Sequence, residues 1–275
     1  MKLSVLMSVY HKDSPEFLRQ SLDSLAAQTI HADEIAVVKD GPLGNELDTT
    51  IASYDGKLPL VVLQLKNNVG LGLALQAGLS HCLGELVARM DSDDICLGDR
   101  FQKQLAFLER NPDVDVVGGA IAEFDNDCTK IQSIRRMPST AEQLSKIARF
   151  RNPLNHMTVM FRKASVIAAG NYQHYNGPMV SLEDYHLWAR MLMRGARFRN
   201  LEDVLVYARV GNGMQQRRGG LRYLREEIKL QQHFVKIGFL TKPQFLLNLV
   251  TRAPARIVPL PLRSVFYQRM LRQKP

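Results

Sequence analysis

The stretch Leu86-Val87-Ala88-Arg89-Met90-Asp91-Ser92-Asp93-Asp94 decides how this chain is read. A short apolar run ends in three carboxylates within four residues. Locally this is a β-strand that delivers acid groups to its own carboxyl end. Carboxylates so close repel one another, and an unpaired cluster raises their pKa values. A hard divalent cation removes that cost, because Mg²⁺ and Mn²⁺ prefer oxygen ligands and commonly hold a substrate diphosphate as well. Asp91, Asp93 and Asp94 are therefore candidate metal ligands. The plainer alternative is a solvated acidic turn that caps the next helix.

Upstream, strands and helices alternate. Lys2 to Val9 reads as a buried strand, and Ser14 caps a helix with Pro15 at its first position. Leu18, Leu22 and Leu25 give that helix an apolar face. Ile35–Val38 is a second buried strand, terminated by Lys39-Asp40-Gly41-Pro42. A helix from about Glu46 to Tyr54 and a third strand, Leu60–Leu65, follow. Asn67-Asn68-Val69-Gly70-Leu71-Gly72 is a tight loop before a helix from Leu73 to about Cys82. This alternation predicts a parallel sheet in an α/β domain. Ligands of such sheets bind beyond the carboxyl ends of the strands. Asp40, Asn67/Asn68 and Asp91–Asp94 all fall there, which a random acidic turn does not predict. The glycines at 70 and 72 offer backbone amides to a phosphate, or only make a turn. There is no GxGxxG after the first strand and no GxxxxGK[ST] anywhere, so neither a dinucleotide fold nor a P-loop is expected.

Downstream, Arg100–Glu109 is helical with Phe101, Leu105 and Leu108 inward, and Asp113–Gly119 is a strand. Phe124–Cys128 reads as a hairpin turn before Ile131–Ile134, so the sheet becomes mixed. Thr140 caps a helix to about Phe150. His156 lies in a loop before the strand Thr158–Phe161, where a lone histidine is either structural or functional. Ser181 and Asp184 resemble a capping box opening a helix whose inner face is Leu187, Met191 and Leu192. Glu183 and Asp184 either complement that helix start or supply a general base at a cleft edge. Spacing alone does not separate these. The stretch from Arg209 to Arg222 is glycine-rich and basic, and reads as a loop able to close on phosphates through Arg217 and Arg218.

Composition narrows the class. The 275 residues are 45% hydrophobic, enough for a sizeable core. Cys82, Cys96 and Cys128 are odd in number and far apart, so neither a disulfide framework nor a zinc site is suggested, and a reducing cytoplasm fits. No apolar run is long enough for a signal peptide or a membrane span. The net charge of +9 is unevenly placed: Ile228 to Pro275 holds nine Lys or Arg and no acid. Such asymmetry points to a polyanionic partner, either nucleic acid or an anionic membrane surface. Apolar and aromatic groups interleave with Arg252, Arg256, Arg263, Arg269 and Arg272, which favours a membrane surface over a tail packed on the body.

Several of these stretches, in this order, resemble glycosyltransferase family 2, the inverting nucleotide-sugar transferases of the GT-A fold. The residues are Ser8-Val9-Tyr10, Asp40-Gly41, Asn68-Val69-Gly70, Asp91-Ser92-Asp93-Asp94 and Glu183-Asp184 with Leu187-Trp188. The resemblance covers roughly residues 3–230. It implies an α/β GT-A fold, a Rossmann-like, mixed but mostly parallel sheet flanked by helices, here with a basic helical C-terminal extension. By this resemblance residues 1–120 form the nucleotide-sugar half and residues 121–230 the acceptor and catalytic half, while the charge pattern marks residues 231–275 as a basic amphipathic membrane-associating tail. It further implies that Tyr10, Asp40, Asn68, Gly70 and Asp91 bind nucleotide, Asp40 through the base. Lys39 stands where many members carry a second acid. Asp93, Asp91 and Asp94 hold Mn²⁺ or Mg²⁺. Asp184 is the implied base with Glu183 in reserve, and His156, Arg217 and Arg218 assist at a phosphate or the acceptor.

Processive members carry Gln-x-x-Arg-Trp and transmembrane helices. Gln215-Gln216-Arg217-Arg218 lacks the Trp, so a single addition is expected. The set is most similar to bacterial O-antigen and exopolysaccharide transferases that extend a sugar on undecaprenyl diphosphate. The expected partners are a UDP-sugar donor, a lipid-diphosphate-linked acceptor and the anionic cytoplasmic face of the inner membrane, with no nucleic acid. A sugar-nucleotide pyrophosphorylase would show a GxGTRL-like segment near the first strand, and Val9-Tyr10-His11-Lys12 does not. A nucleic-acid-binding protein would need its acid-rich rim neutralised.

Overall fold

The structure, a computed structural model, describes residues 1–174, 182–210 and 220–257. Strand β1 (Leu3–Val9) leads through α1 (Pro15–Ala26) to β2 (Glu34–Lys39), α2 (Asn45–Ala52) and β3 (Leu60–Gln64). Then come α3 (Leu71–His81), β4 (Leu86–Arg89), β5 (Ile95–Cys96), α4 (Arg100–Arg110), β6 (Val116–Phe124) and β7 (Ser133–Arg135). Helix α5 (Ala141–Ile147) precedes a 3₁₀ turn at His156–Thr158, β8 (Met160–Arg162) and α6 (Lys163–Ala168). The chain continues with α7 (Glu183–Met193), β9 (Phe198–Arg209), α8 (Gly220–Lys236) and α9 (Lys242–Ile257).

Among the described residues nine strands form one sheet, ordered β3-β2-β1-β4-β8-β6-β9-β5, with β7 beside β6. Strands β1 to β4 pair in parallel. Strand β8 runs antiparallel between β4 and β6, so β6 points the same way as β4, and β9 is parallel to β6. The carboxyl ends of β1, β2, β3, β4, β6 and β9 therefore share one rim, and the residues that precede β8 reach the same rim.

Period-2 alternation splits the core between the two sheet faces. Val5, Met7 and Val9 of β1 pack with Leu18, Leu22 and Leu25 of α1. Leu6 turns to the other face, against Leu75 and Leu79 of α3 and Trp188 of α7. Ser14 caps α1 at the Phe17 amide, as its sequence indicated. Strand β3 is an edge, with Val61 and Val62 exposed.

Three readings are corrected. Arg209 is not the start of a loop but the last residue of β9, a strand the sequence did not reveal. Its interior carries Arg199, Glu202 and Asp203, and its ladder with β6 is irregular near Ala120, so no clean alternation marks it. Residue 231 is not a boundary, because α8 runs unbroken through it. The region from Ile237 to Arg252, expected as part of a membrane-associating tail, packs on the body. Phe234, Phe239 and Leu240 are buried with Tyr185 and Ala189 of α7, and Asn248 bonds to the Arg149 carbonyl and to Gln231, both at 2.8 Å. Residues 258–275, which hold the rest of the proposed membrane-associating segment, lie outside the described residues, as do Ser181, Arg217 and Arg218.

Phe239 stacks edge-on with Phe234 at 5.1 Å and lies under the Arg149 guanidinium at 4.3 Å. Phe239→Ala is expected to cost about 3–5 kcal/mol of folding stability, measured by denaturant unfolding. A cost below about 1 kcal/mol would detach the α8–α9 hairpin from the cooperative body.

Candidate active site

The acid loop after β4 is held from both sides. The Ser21 hydroxyl of α1 donates to the Asp91 carbonyl at 3.0 Å, and Ser24 Oγ accepts from the Cys96 amide at 3.0 Å. From β9, the Arg209 amide donates to Asp94 Oδ1 at 2.8 Å, and its Nε donates to the Asp93 carbonyl at 3.1 Å. The Arg209 guanidinium also reaches the Gln20 side chain and the Asp125 carbonyl, and lies over the Phe17 and Phe124 rings. Thus the two halves of the sheet close on the loop through one arginine.

The carboxylates of Asp91, Asp93 and Asp94 place oxygens within 4.8 Å of one another. Burial, then the Asp91 charge, pushes the Asp93 carboxyl up to about 6. Burial, then Asp93 and Asp91, pushes Asp94 well above the usual range. Asp94 Oδ2 is buried without a hydrogen-bond partner among the described residues. This all-oxygen set, short of positive charge and with an orphaned acceptor, fits a hard divalent cation.

Asp91 forms an ion pair with Arg89, a guanidinium only 1% exposed inside the strand. The field of Arg89 links the acid loop to the second chemical stretch. It acts on His156, Tyr172 and Glu183, and Asp91 is felt by Tyr172 and Glu183 as well. Burial, then the Asp184 charge, pushes Glu183 up to about 8, so it holds its proton near neutrality and leaves the negative charge to Asp184. Asp184 Oδ2 accepts from the Asn152 amide at 2.5 Å and Oδ1 from the Tyr185 amide at 2.6 Å. Glycine at 72 lets α7 come this close: a Cβ there would sit 3.0 Å from Glu183 Cβ and from the Gln173 carbonyl. The structure therefore brings Asp91, Asp93, Asp94, Glu183 and Asp184 to one rim.

The remaining candidates fall differently. Asp40 is buried, and its two carboxylate oxygens accept from the Val69 amide at 2.7 Å and the Gly70 amide at 3.0 Å. The Asn68 side chain donates to the Asp40 carbonyl at 3.1 Å. The Gly70 amide, offered above to a phosphate or a turn, is thus turned onto Asp40. Gly41, at φ 84°, allows the approach, since a Cβ would meet the Asn68 amide nitrogen at 2.5 Å. Lys39, in place of a second acid, pairs with Asp48 of α2 at 2.6 Å. His156 Nε2 and the Tyr172 hydroxyl share a hydrogen bond of 2.9 Å, with Trp188 edge-on to the imidazole. Burial, then Arg89, holds His156 well below the usual histidine range, so it is neutral and lends no positive charge to a phosphate.

Sequence reasoning gave no role to Arg89, Arg209, Tyr172, Asn152 or Asp13. Asp13 accepts from the Ser92 hydroxyl at 2.8 Å and the Tyr10 amide at 3.1 Å, clasping the loop after β1 to the acid loop. Burial pushes its carboxyl up to about 7. The available signal was a cation, Arg89, inside an otherwise apolar strand.

A mostly parallel sheet with an acid loop at its switch point and a Glu–Asp pair across the rim defines a GT-A transferase. The crystal structure of S. aureus TarS 1–349 in complex with UDP-GlcNAc superposes on this fold with a TM-score of 0.67 at 21% identity, covering 86% of this chain and 67% of that one. Residues 4–168 match Glycosyl transferase family 2. The amylovoran biosynthesis glycosyltransferase AmsE of Erwinia amylovora is 40% identical over 97% of this chain and 98% of its own length. The UDP-Gal:alpha-D-GlcNAc-diphosphoundecaprenol beta-1,3-galactosyltransferase of Escherichia coli is 36% identical over 99% of this chain and 97% of its own. The chain belongs to glycosyltransferase family 2 and is a glycosyltransferase.

Proposed function

We propose that the enzyme moves one hexose, galactose before glucose, from a UDP-sugar to a lipid-diphosphate-linked GlcNAc. The new linkage is β, with β1,3 favoured, and serves O-antigen or exopolysaccharide repeat-unit assembly. The observation that carries this reading is the meeting of the acid loop and the Glu183–Asp184 pair around Arg89. The nearly full-length similarity to the E. coli galactosyltransferase supports the donor and acceptor.

In this mechanism Asp184, steadied by Asn152, takes the proton of the acceptor hydroxyl. The hydroxyl oxygen attacks the anomeric carbon opposite the leaving UDP, so one displacement inverts configuration. Glu183, protonated beside it, keeps the pair at a single charge. Mn²⁺ or Mg²⁺, held by Asp91, Asp93 and Asp94, would supply positive charge for the diphosphate. Tyr10 and Asp40 bound the nucleotide end, and Asp13 fixes the Tyr10 loop. Arg217 and Arg218 remain proposed phosphate or acceptor contacts.

The enzyme works at the cytoplasmic face of the inner membrane. Among the described residues no helix is long and apolar enough to cross a membrane. Helix α9 instead exposes Leu246, Leu247 and Val250 along one side, and the following sequence is basic. Such a stripe with flanking cations suits an anionic interface.

Incubation with Mn²⁺, a synthetic GlcNAc-diphosphate-lipid and a panel of nucleotide sugars tests the reading by product mass. A single hexose added from UDP-galactose is expected. Transfer only from a GDP- or dTDP-sugar would overturn the donor, and no product on this lipid would overturn the acceptor.

A further inference from the structure

We propose that Arg151, with Arg252 beside it, grips the diphosphate of the lipid-linked acceptor. This rests on the acceptor class proposed above and adds the site that recognises it. The loop from α5 to the 3₁₀ turn carries Arg149, Arg151 and then Asn152, whose amide holds Asp184. Helix α9 closes over the same loop: Asn248 donates to the Arg149 carbonyl, and Arg252 donates to the Phe150 carbonyl at 3.2 Å. Arg252 thus reaches the loop beside Arg151, the residue next to the base's hydrogen-bond donor.

Arg151 is half-buried and makes no ion pair among the described residues, and its buried Nε has no hydrogen-bond partner there. The charge that acts on it is another cation. Burial, then Arg252, holds Arg151 below the usual arginine range. Arg149 is spent on the Phe239 carbonyl and ring, without a carboxylate. Glu227, paired with Arg252, is the acid of this group. Among the described residues, Arg151 and Arg252 against Glu227 leave an excess of positive charge that suits a diphosphate. Arginine also offers a fork of donors that matches phosphate oxygens.

Position agrees with the chemistry. A hexose ring separates an attacking hydroxyl from the anomeric diphosphate of the same sugar. The diphosphate must therefore be held beside the base and not on it, and Arg151 is one residue from Asn152. Arg252 belongs to α9, whose outer side carries the exposed Leu246, Leu247 and Val250. A lipid leaving the diphosphate meets that helix next.

Acceptor KM of the purified full chain, at saturating UDP-sugar and with a GlcNAc-diphosphate-alkyl acceptor, tests the assignment. Arg151→Ala is expected to raise acceptor KM roughly 10- to 100-fold, the worth of a charged hydrogen bond. Arg151→Lys should recover part of the loss, with UDP-sugar KM and melting temperature unchanged in both. An unchanged acceptor KM, or a donor KM rising in parallel, would overturn the site. Weaker flotation with anionic vesicles at unchanged acceptor KM would assign Arg151 to lipid headgroups and overturn it too. Failure of the wild-type chain to use this acceptor would overturn both the site and the acceptor class.

Discussion

Asp93→Ala is expected to lower transfer about a thousandfold or more, and to remove metal-dependent nucleotide binding with it. The motive is electrostatic. Asp93 sits in a cluster whose burial and mutual repulsion push its carboxyl up to about 6. An acid with a raised folded-state pKa binds its proton more tightly in the native chain than in the unfolded one. Stability is then lost as pH rises from the unfolded value through about 6. At pH 7 the ionised side chain is a cost to the metal-free fold, and alanine removes it. The variant should therefore melt no lower than wild type without added metal. Calorimetric titration of UDP with and without Mn²⁺ reads the binding. Unchanged Mn²⁺-dependent affinity would take Asp93 out of the ligand set, and a lower melting temperature would make it a structural residue.

Asp184→Asn is expected to keep UDP-sugar binding and lose transfer by about 10²- to 10⁴-fold, the range for a positioned general base. The substitution preserves shape but not basicity. Glu183→Gln should cost less, since Glu183 is pushed up to about 8 and already carries its proton near neutrality. Single-turnover rates of the two variants, beside equilibrium binding of donor, separate the roles. A near-normal rate in Asp184→Asn would move the base to Glu183.

The sequence made the first half of the fold legible because its signals are local. Leu18, Leu22 and Leu25 announced one helix face, Ser14 its start, and strand ends carried Asp40 and the acid loop. What stayed hidden depends on distant partners. Strand β5 is two residues that become a strand only by pairing with Val206 and Tyr207 of β9. The stretch from 231 read as a tail because its cations dominate the composition, although Phe234 and Phe239 bury it on α7 and Asn248 ties it to Arg149. At the site the residue types were legible, but their state was not. His156 could be named, yet only the packing of Arg89, Tyr172 and Trp188 around it shows that it stays neutral. Likewise, the sequence left Gly70 either a phosphate donor or a turn residue, and only the folded chain shows its amide on Asp40.

The clasp of Arg209 on the acid loop makes the site depend on a late stretch of the chain. Domains begin to fold while their N-terminal segments emerge from the ribosome. A nascent chain with β4 outside the tunnel has its acids in place but no Arg209 to hold Asp93 and Asp94. It also has no hairpin beneath α7. The acid loop therefore gains this support only after Arg209 has been translated. Chains terminated before Arg209 are then expected to leave the acid loop without that clasp.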